Sequence, residues 1–255
     1  MKEKPNVDVI IPNYNKSAYI EEAINSVVNQ TCKNWHLYVI DDCSTDNSLE
    51  KIKKFLEKKN IKIISLKKNK GPSFARNYGM RISNSKYISF LDSDDGWDIH
   101  KLEKQINFME EKKLTFTFTD YIPFFEKDGK KFFKKSTNLE DRFDYNKFIR
   151  NTSINTTTMI ISRSILGTNK FKKVNLLEDY LFKCELLKKE NIFAEKLDED
   201  LAFYRILSNS RSTQRLRNIY WLWNINQNYN KLNFFTNLIS IFFVAINSIK
   251  KYGIK

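Results

Sequence analysis

Four short apolar runs, separated by helical patterns, dominate the first hundred residues and constrain the fold most strongly. The runs are Val7–Pro12, Trp35–Ile40, Ile61–Leu66 and Tyr87–Leu91. Apolar residues recur at helical spacing over Ser17–Gln30, around Leu49–Leu56 and over Pro72–Ile82. Near-continuous apolar strands that alternate with amphipathic helices are typical of parallel strands buried on both faces. The first half of the chain therefore predicts βαβ units and an α/β fold.

The second half of the chain has a less regular pattern. We expect helices over His100–Glu111, Leu177–Lys189, Gln214–Asn230 and Leu232–Ile249, and strand-like segments over Thr156–Ser162 and Leu201–Leu207. A hairpin turn is predicted at Lys127–Lys130, because Asp-Gly suits a tight turn between strands. No GxGxxG motif follows the first strand, which argues against a dinucleotide cofactor.

The charge balance is basic, with 44 Lys and Arg against 30 Asp and Glu and a net charge of +14. No acidic residue follows Asp200, whereas eight basic residues do. Basic chains bind nucleic acid, anionic membranes or phosphorylated ligands. The asymmetry indicates that the C-terminal part contacts a partner surface.

The cysteines and the first residues bear on the compartment. The chain has three cysteines, Cys32, Cys43 and Cys184. Their odd number and the absence of CxxC spacing argue against a disulfide scaffold or a zinc site. The opening MKEKPNVDV lacks the long apolar run of a signal peptide. We therefore expect the protein in the cytoplasm or on the inner face of the cell membrane.

Polar residues follow three of the predicted strands. They are Asn13-Tyr14-Asn15-Lys16, Asp41-Asp42 and Asp92-Ser93-Asp94-Asp95. Ligands of an open parallel sheet bind beyond the carboxyl ends of its strands. Together these three clusters predict one ligand site at that edge.

The acidic segment Asp92–Asp95 predicts a divalent metal. Three carboxylates within four residues repel one another unless a cation lies among them, and hard divalent ions prefer such oxygen ligands. The alternative is a solvated acidic turn. A second acidic triplet, Asp198-Glu199-Asp200, does not follow a predicted buried strand in the same way, and we expect it to be such a turn.

Two of the remaining polar clusters each allow two interpretations. In one interpretation, Asp41-Asp42 accept hydrogen bonds from a base or a ribose and Tyr14 stacks on the base. In the other, Asp41 caps a helix and Tyr14 packs on the surface. The helix that begins near Gly71 would present its N-terminus and Arg76 to phosphate, or form an ordinary loop. Glu178-Asp179, at the start of a predicted apolar helix, is placed favourably on the helix dipole.

The sequence resembles family 2 glycosyltransferases of the GT-A fold. The matching motifs are VDVIIPNYN (Val7–Asn15), VIDDCSTDNS (Val39–Ser48), NKGPSFARNYG (Asn69–Gly79), YISFLDSDD (Tyr87–Asp95) and LLEDYLFKCELL (Leu176–Leu187), with a weaker match at Tyr204–Ser212. The resemblance implies a Rossmann-like, mostly parallel central sheet flanked by helices. It also implies transfer of a sugar from a nucleotide diphosphate to an acceptor hydroxyl with inversion, assisted by Mn²⁺ or Mg²⁺.

The resemblance assigns roles to individual residues. Asp179 is the expected catalytic base and Glu178 helps to place it. The expected nucleotide-sugar site comprises Pro12, Tyr14, Asn15, Lys16, Asp41, Asp42, Arg76, Asp92 and Ser93. The expected metal segment comprises Asp92, Asp94 and Asp95, with Asp94 the principal ligand.

The expected partners follow from the same resemblance. They are a nucleotide-diphosphate sugar, with UDP as the default, and a saccharide or lipid-linked glycan in cell-surface polysaccharide or glycoconjugate synthesis. No nucleic acid is expected. Because the QxxRW motif of processive synthases is absent, we expect one sugar to be added per acceptor.

Two other hypotheses are a sugar-nucleotide pyrophosphorylase and a noncatalytic basic adaptor for membranes or nucleic acid.

The expected domain organisation is a catalytic domain over 1–212 and a helical extension over 213–255. Residues 1–111 would bind the donor, and residues 112–212 would supply the acceptor side and the base. Leu232–Ile249 is an uncharged 18-residue stretch that holds Asn233, Asn237 and Asn247. Aromatic and basic residues around such a helix suit peripheral contact with a membrane surface better than a full span. Alternatively, the helix packs on the catalytic domain or on a second subunit.

Overall fold

The computed structural model describes residues 7–207 and 215–252. The strands are β1 (Val7–Asn13), β2 (Trp35–Asp41), β3 (Ile61–Ser65), β4 (Tyr87–Phe90), β5 (Gly96–Trp97), β6 (Phe116–Lys127), β7 (Lys130–Phe133), β8 (Arg142–Phe143), β9 (Ile160–Ser162) and β10 (Ala194–Arg205). The helices are α1 (Ile20–Val28), α2 (Ser48–Lys53), α3 (Pro72–Ile82), α4 (Lys101–Glu111), α5 (Tyr145–Asn151), α6 (Glu178–Leu187), α7 (Arg215–Asn228) and α8 (Phe234–Tyr252).

One sheet contains all ten described strands, with eight of them in the order β3-β2-β1-β4-β9-β6-β10-β5, while β7 pairs with β6 and β8 pairs with β10. The four strands β3, β2, β1 and β4 are parallel to one another, as predicted. Beyond β4 the sheet is mixed, because β9 runs antiparallel to both β4 and β6, while β6 and β10 are parallel. The predicted α/β class is therefore confirmed, and its parallel character is concentrated in the N-terminal half.

Several predicted boundaries differ from the observed ones. The predicted strand at Thr156–Ser162 is shorter, because Thr156–Thr158 forms a 3₁₀ turn in which the Asn155 side chain accepts from the Thr157 N–H. The helix predicted from Ser17 begins at Ile20, and the residues before it form a turn in which the Tyr19 and Ile20 N–H groups both donate to the Lys16 carbonyl. The hairpin at Lys127–Lys130 is confirmed, with Asp128 and Gly129 both at positive φ.

The core lies on both faces of the sheet, as the near-continuous apolar strands require. Side chains of β1 alternate between the two apolar clusters, with Val9 and Ile11 on one side and Ile10 on the other. Helix α3 packs directly on β1, where a Cβ on Gly79 would come within 2.6 Å of Ile10 Cγ2. This close approach places the N-terminus of α3 beside the carboxyl end of β1.

The two C-terminal helices share a core with the rest of the chain. The Tyr180 hydroxyl donates to the buried side chain of Asn226 in α7 (2.7 Å), and Ser240 of α8 donates to the Ile149 carbonyl of α5 (2.5 Å). The expected domain boundary at 212/213 lies outside the described residues, as does most of the weak motif match at 204–212. Within the described ranges, no helix combines the length and the apolarity needed to cross a membrane.

Candidate active site

A cavity of about 960 Å³ opens at the carboxyl ends of β1, β2 and β4, between the N-termini of α3 and α6. Ten of the predicted site residues line this cavity: Pro12, Tyr14, Lys16, Asp42, Arg76, Asp92, Ser93, Asp94, Glu178 and Asp179. Residues 152–156 and 173–177 also line the cavity. The sheet edge thus brings together clusters that are up to 167 positions apart in the chain, from Pro12 to Asp179.

The nucleotide side of the cavity is formed by β1, β2 and the loop before α3. Tyr14 is 46% exposed, which leaves its ring accessible for stacking. The carboxylate of Asp42 accepts hydrogen bonds from the Lys70 N–H (2.8 Å) and the Gly71 N–H (2.7 Å). Asp42 therefore holds the loop in place, and Gly71, at φ 86°, adopts a conformation that favours glycine immediately before Pro72 starts α3.

Two predicted nucleotide-binding residues do not line the cavity. Asp41 accepts from Asn13 Nδ2 (2.8 Å) and from the Ser44 hydroxyl (2.6 Å), so its carboxylate braces the turn after β2. Asn15, at φ 49°, accepts from the Thr45 N–H (2.8 Å) through its side-chain oxygen. These two residues stabilise the loops after β1 and β2, and they are not among the residues that line the cavity.

Asp95 also differs from its predicted place among the metal ligands. Its buried carboxylate accepts from the Thr157 hydroxyl (2.7 Å) and from the Arg205 N–H (2.9 Å), and it does not line the cavity. Burial, reinforced by the charges of Asp94 and Asp92, raises its pKa well above the ordinary value. Asp95 thus links the acidic segment to the 3₁₀ turn at 156–158 and to β10.

The other two acidic residues of this segment each face a cation. Asp94 Oδ2 lies 2.7 Å from Lys16 Nζ, and Asp92 Oδ1 lies 2.6 Å from Arg76 Nη2. Each ion pair uses one oxygen of its carboxylate. A hard divalent ion suits such oxygen donors, and Mg²⁺ is commonly held by one or two carboxylates together with substrate phosphates. Asp92 and Asp94 fit a metal of that kind, although the described residues contain no group of three potential ligands close enough to hold an ion.

Asp179 sits at the start of α6 and points one of its oxygens at two donors. Oδ2 accepts from the Thr156 hydroxyl (3.1 Å) and from Lys183 Nζ (2.7 Å), while the side chain remains 34% exposed. Burial opposes ionisation of this carboxyl, but Lys183, Arg76 and Thr156 outweigh it and lower its pKa to about 2. Asp179 is therefore ionised at neutral pH, with one oxygen held by protein donors.

Arg76 connects the acidic segment to the start of α6. Its guanidinium contacts Asp92 and also Glu178 Oε1 (3.5 Å), and it stacks over the Phe171 ring at 5.3 Å. Burial would lower the pKa of Arg76, but Asp92 and Glu178 raise it overall. The cation is thus held by packing and charge at the centre of the site.

Three residues of this region had no predicted role. Lys183, almost fully buried, also donates to the Ile154 carbonyl (2.7 Å), and its i,i+4 spacing from Asp179 was the only sequence signal for this pairing. Thr156 carried no signal, because only folding brings it to Asp179. Arg205 donates from Nε to the Asp94 carbonyl (2.9 Å) and so fixes the backbone of the acidic segment.

The second acidic triplet does not belong to the site. Asp198 pairs with Lys196, Glu199 pairs with Lys104, and Asp200 accepts from Ser136. The three residues lie within strand β10, so the expectation that they form an acidic turn is wrong, and they do not line the cavity.

Comparison with known proteins gives the family. The family model of Glycosyl transferase family 2 matches residues 8–172. The putative teichuronic acid biosynthesis glycosyltransferase TuaG of Bacillus subtilis (strain 168) is 33% identical over 251 residues, which cover 97% of this chain and 98% of TuaG. The Escherichia coli enzyme WfgD, a UDP-Glc:α-D-GlcNAc-diphosphoundecaprenol β-1,3-glucosyltransferase, is 32% identical over 219 residues, covering 86% of this chain and 84% of WfgD.

Solved structures share the fold. S. aureus TarS 1-349 in complex with UDP-GlcNAc superposes with a TM-score of 0.72 at 21% identity, over 96% of this chain and 73% of that one. Mannosyltransferase PcManGT from Pyrobaculum calidifontis, in complex with GDP-Man and Mn²⁺, superposes with a TM-score of 0.69 at 13% identity. The match covers 98% of this chain and 75% of that one. Since the family model covers most of the sequence and the fold agrees, the chain belongs to glycosyl transferase family 2.

Proposed function

We propose that this glycosyltransferase moves a sugar from a UDP-sugar to a saccharide carried on a lipid diphosphate, with inversion at the anomeric carbon. The observation that carries the proposal is the shared cavity, in which Asp92, Asp94, Arg76 and Asp179 lie between a nucleotide side and a second wall. A relative over most of the chain's length is named for a UDP-glucose donor and a diphosphoundecaprenol-linked acceptor, which supports the substrate classes.

The proposed mechanism is a single displacement. Lys16 and Arg76 approach the diphosphate of the donor, and the acceptor hydroxyl attacks the anomeric carbon as its bond to the diphosphate breaks. The hydroxyl proton passes to the Asp179 carboxylate, and UDP leaves. A divalent cation at Asp92 and Asp94 would supply charge neutralisation for the departing diphosphate. Glu178 pairs with Arg76, and this ion pair connects the helix that carries the base to the residue that approaches the diphosphate.

The proposal is tested by measuring release of UDP from UDP-glucose with and without GlcNAc-α-diphosphate on an alkyl chain. We expect release to require the acceptor and to yield a disaccharide with a β linkage, detected by NMR. Donor binding alone should stabilise the folded chain by about 2.7 kcal/mol at 100 times the Kd. Failure of every UDP-sugar to bind would refute the proposal, and synthesis of UDP-sugar from UTP would point to a pyrophosphorylase.

We also propose that α8 places the enzyme on the inner face of the membrane. One face of α8 is apolar and 42–74% exposed, and it consists of Phe234, Phe235, Leu238, Ile239, Phe242 and Phe243. Exposed Lys231 precedes the helix, and the exposed Arg150 lies beside its far end, where Asn247 bonds the Arg150 carbonyl. An apolar helix face flanked by cations matches an anionic bilayer surface.

The opposite face of α8 holds the helix on the protein. Asn237 and Ser240 are buried against Asn226 and α5, so removing the helix would disturb the fold. The sequence-based alternative of packing on the catalytic domain therefore describes one face of α8, and the membrane proposal concerns the other face.

The membrane proposal predicts that the wild-type chain sediments with anionic liposomes at low salt. The double variant Phe235→Ser, Phe242→Ser should lose most of this binding, because two aromatic side chains leave the interface. Phe133→Ser removes an equally exposed aromatic residue from β7 and serves as the control. Equal sedimentation of all three proteins, or none by the wild type, would show that α8 does not bind the bilayer.

A further inference from the structure

A smaller cleft of about 140 Å³ lies beside the active-site cavity. It is bounded on one side by residues 173–175. On the other side lie Trp221 and Asn224 of α7 and Tyr229, which directly follows that helix. Lys173 and Asn175 line both the cleft and the large cavity, so the two spaces adjoin at this segment. A molecule in the cleft would therefore lie next to the active-site cavity.

The chemistry of the cleft suits a sugar diphosphate. The side chains of Lys173, Asn175 and Asn224 make no hydrogen bond or ion pair with any of the described residues. Trp221 is half-buried and Tyr229 is 41% exposed, so both rings are partly accessible. Aromatic side chains with a few unpaired polar groups are typical of small-molecule sites, amides can donate to and accept from hydroxyls, and an ammonium group attracts phosphate.

Both walls of the cleft are anchored by contacts made elsewhere. In α7, Asn226 is buried and bonded to Tyr180, Asn237 and Ser240. The segment before Lys173 is held by Asn77, which bonds the Phe171 N–H (2.9 Å) and the Phe171 carbonyl (2.8 Å). Neither wall has to be ordered by the ligand, which lowers the entropic cost of binding.

The cleft lies on the acceptor side of the proposed reaction. Asn175 precedes Asp179 by four residues, so their Cα atoms are within about 14 Å of one another even for an extended chain. The residues on the nucleotide side line the large cavity and not the cleft; they are Pro12, Tyr14 and Asp42. A sugar in the cleft would thus be near the base and outside the nucleotide position.

We propose that this cleft binds the diphosphate-linked saccharide of the acceptor, with the sugar against Trp221 and the diphosphate near Lys173. The proposal rests on the proposed function for the identity of the acceptor. Asn175 and Asn224 hydrogen-bond the sugar hydroxyls. The acceptor is thereby directed towards Asp179.

The proposal is tested by calorimetric binding of GlcNAc-α-diphosphate on a short alkyl chain to the full chain, separately from transfer. Trp221→Ala should weaken probe binding about tenfold, as expected for loss of an aromatic contact. UDP binding should remain unchanged. Trp223→Ala is the matched control, because that indole donates to Gln227, packs on Phe234 and lies outside the cleft. Asn224→Ala, with a smaller change in volume, repeats the test if Trp221→Ala melts early.

A Lys173→Ala variant tests the diphosphate. It should weaken binding of the diphosphate probe and leave binding of the alkyl α-glycoside of GlcNAc unchanged. Undiminished probe binding in Trp221→Ala and Asn224→Ala, or no probe binding by the wild type, would overturn the cleft assignment. If the probe binds through Trp221 but no sugar is transferred, the cleft assignment stands and the proposed function fails.

Discussion

Asp179→Asn is expected to reduce sugar transfer by about 100- to 10,000-fold, the range for loss of a general base. The amide preserves the shape of the side chain and its contacts with Thr156 and Lys183 in part, but it cannot take the acceptor proton. Donor binding should persist, because the substitution leaves the residues proposed to hold the nucleotide and its diphosphate in place. Steady-state transfer and calorimetric binding of UDP, measured on the same preparation, check both expectations.

The low pKa of Asp179 simplifies this experiment. Because its pKa is lowered to about 2, the carboxylate is ionised across the neutral range and loses its charge only as the pH falls through that value. Any pH dependence of transfer between pH 6 and 8 must therefore arise from another group. Asp179→Asn should lower the rate by the same factor at each pH in that range.

Glu185→Gln is the matched control for Asp179→Asn. It neutralises a carboxylate on the same helix, one that pairs with Lys172 outside the cavity. Transfer at the wild-type rate by Asp179→Asn would place the base elsewhere, with Glu178 as the next residue to replace. A matching loss of UDP affinity in Asp179→Asn would indicate a structural role for the residue.

Asp94→Asn is expected to lower transfer at least about 100-fold, comparable to removing a principal electrostatic stabiliser of the transition state. The variant loses a charged oxygen ligand and leaves Lys16 without its ion-pair partner. UDP binding should lose its dependence on Mn²⁺ or Mg²⁺, which calorimetry with and without metal detects independently of turnover. Chelation of the wild type with EDTA should reproduce the loss of activity.

Asp198→Asn provides the control from the other acidic triplet. It removes a carboxylate of the same type that pairs with Lys196, away from the cavity. We expect no change in transfer or in metal-dependent UDP binding. Full activity of the wild type in EDTA would rule out a role for the metal. A loss of activity in Asp198→Asn equal to that in Asp94→Asn would mean that the change in net charge, and not a metal ligand, is responsible.

The helices and the parallel strands of the first half could be predicted because their signals are local. Alternating apolar runs and helical periodicity identify β1–β4 and α1–α4, since burial on both faces imposes the pattern on each segment separately. The position of polar residues directly after strands likewise predicted six of the ten predicted residues that line the cavity, namely Tyr14, Lys16, Asp42, Asp92, Ser93 and Asp94. Pro12, Glu178 and Asp179 were expected from the family resemblance, and Arg76 from its place in the helix that begins near Gly71. Asp128-Gly129 predicted the hairpin, because the turn itself requires positive φ.

Other features were decided by contacts between distant segments, which no local pattern encodes. The insertion of β9 antiparallel between β4 and β6 depends on pairing across the sheet. Asp95, adjacent in sequence to Asp94, turns into the protein because Thr157 and the Arg205 N–H offer donors there. Asp41 and Asn15 are occupied by the loop at residues 44–45 for the same reason.

The sequence by itself determined the α/β class, the edge of the sheet at which the cavity opens and the residue types available there. Only the tertiary structure decided which carboxylates face the cavity and what holds them. Thr156 reaches Asp179 from 23 residues away in the chain, and Arg205 reaches Asp94 from 111. The physical reason is that a buried polar group takes whichever partner the packing brings within hydrogen-bond distance, and that choice is made by the whole fold.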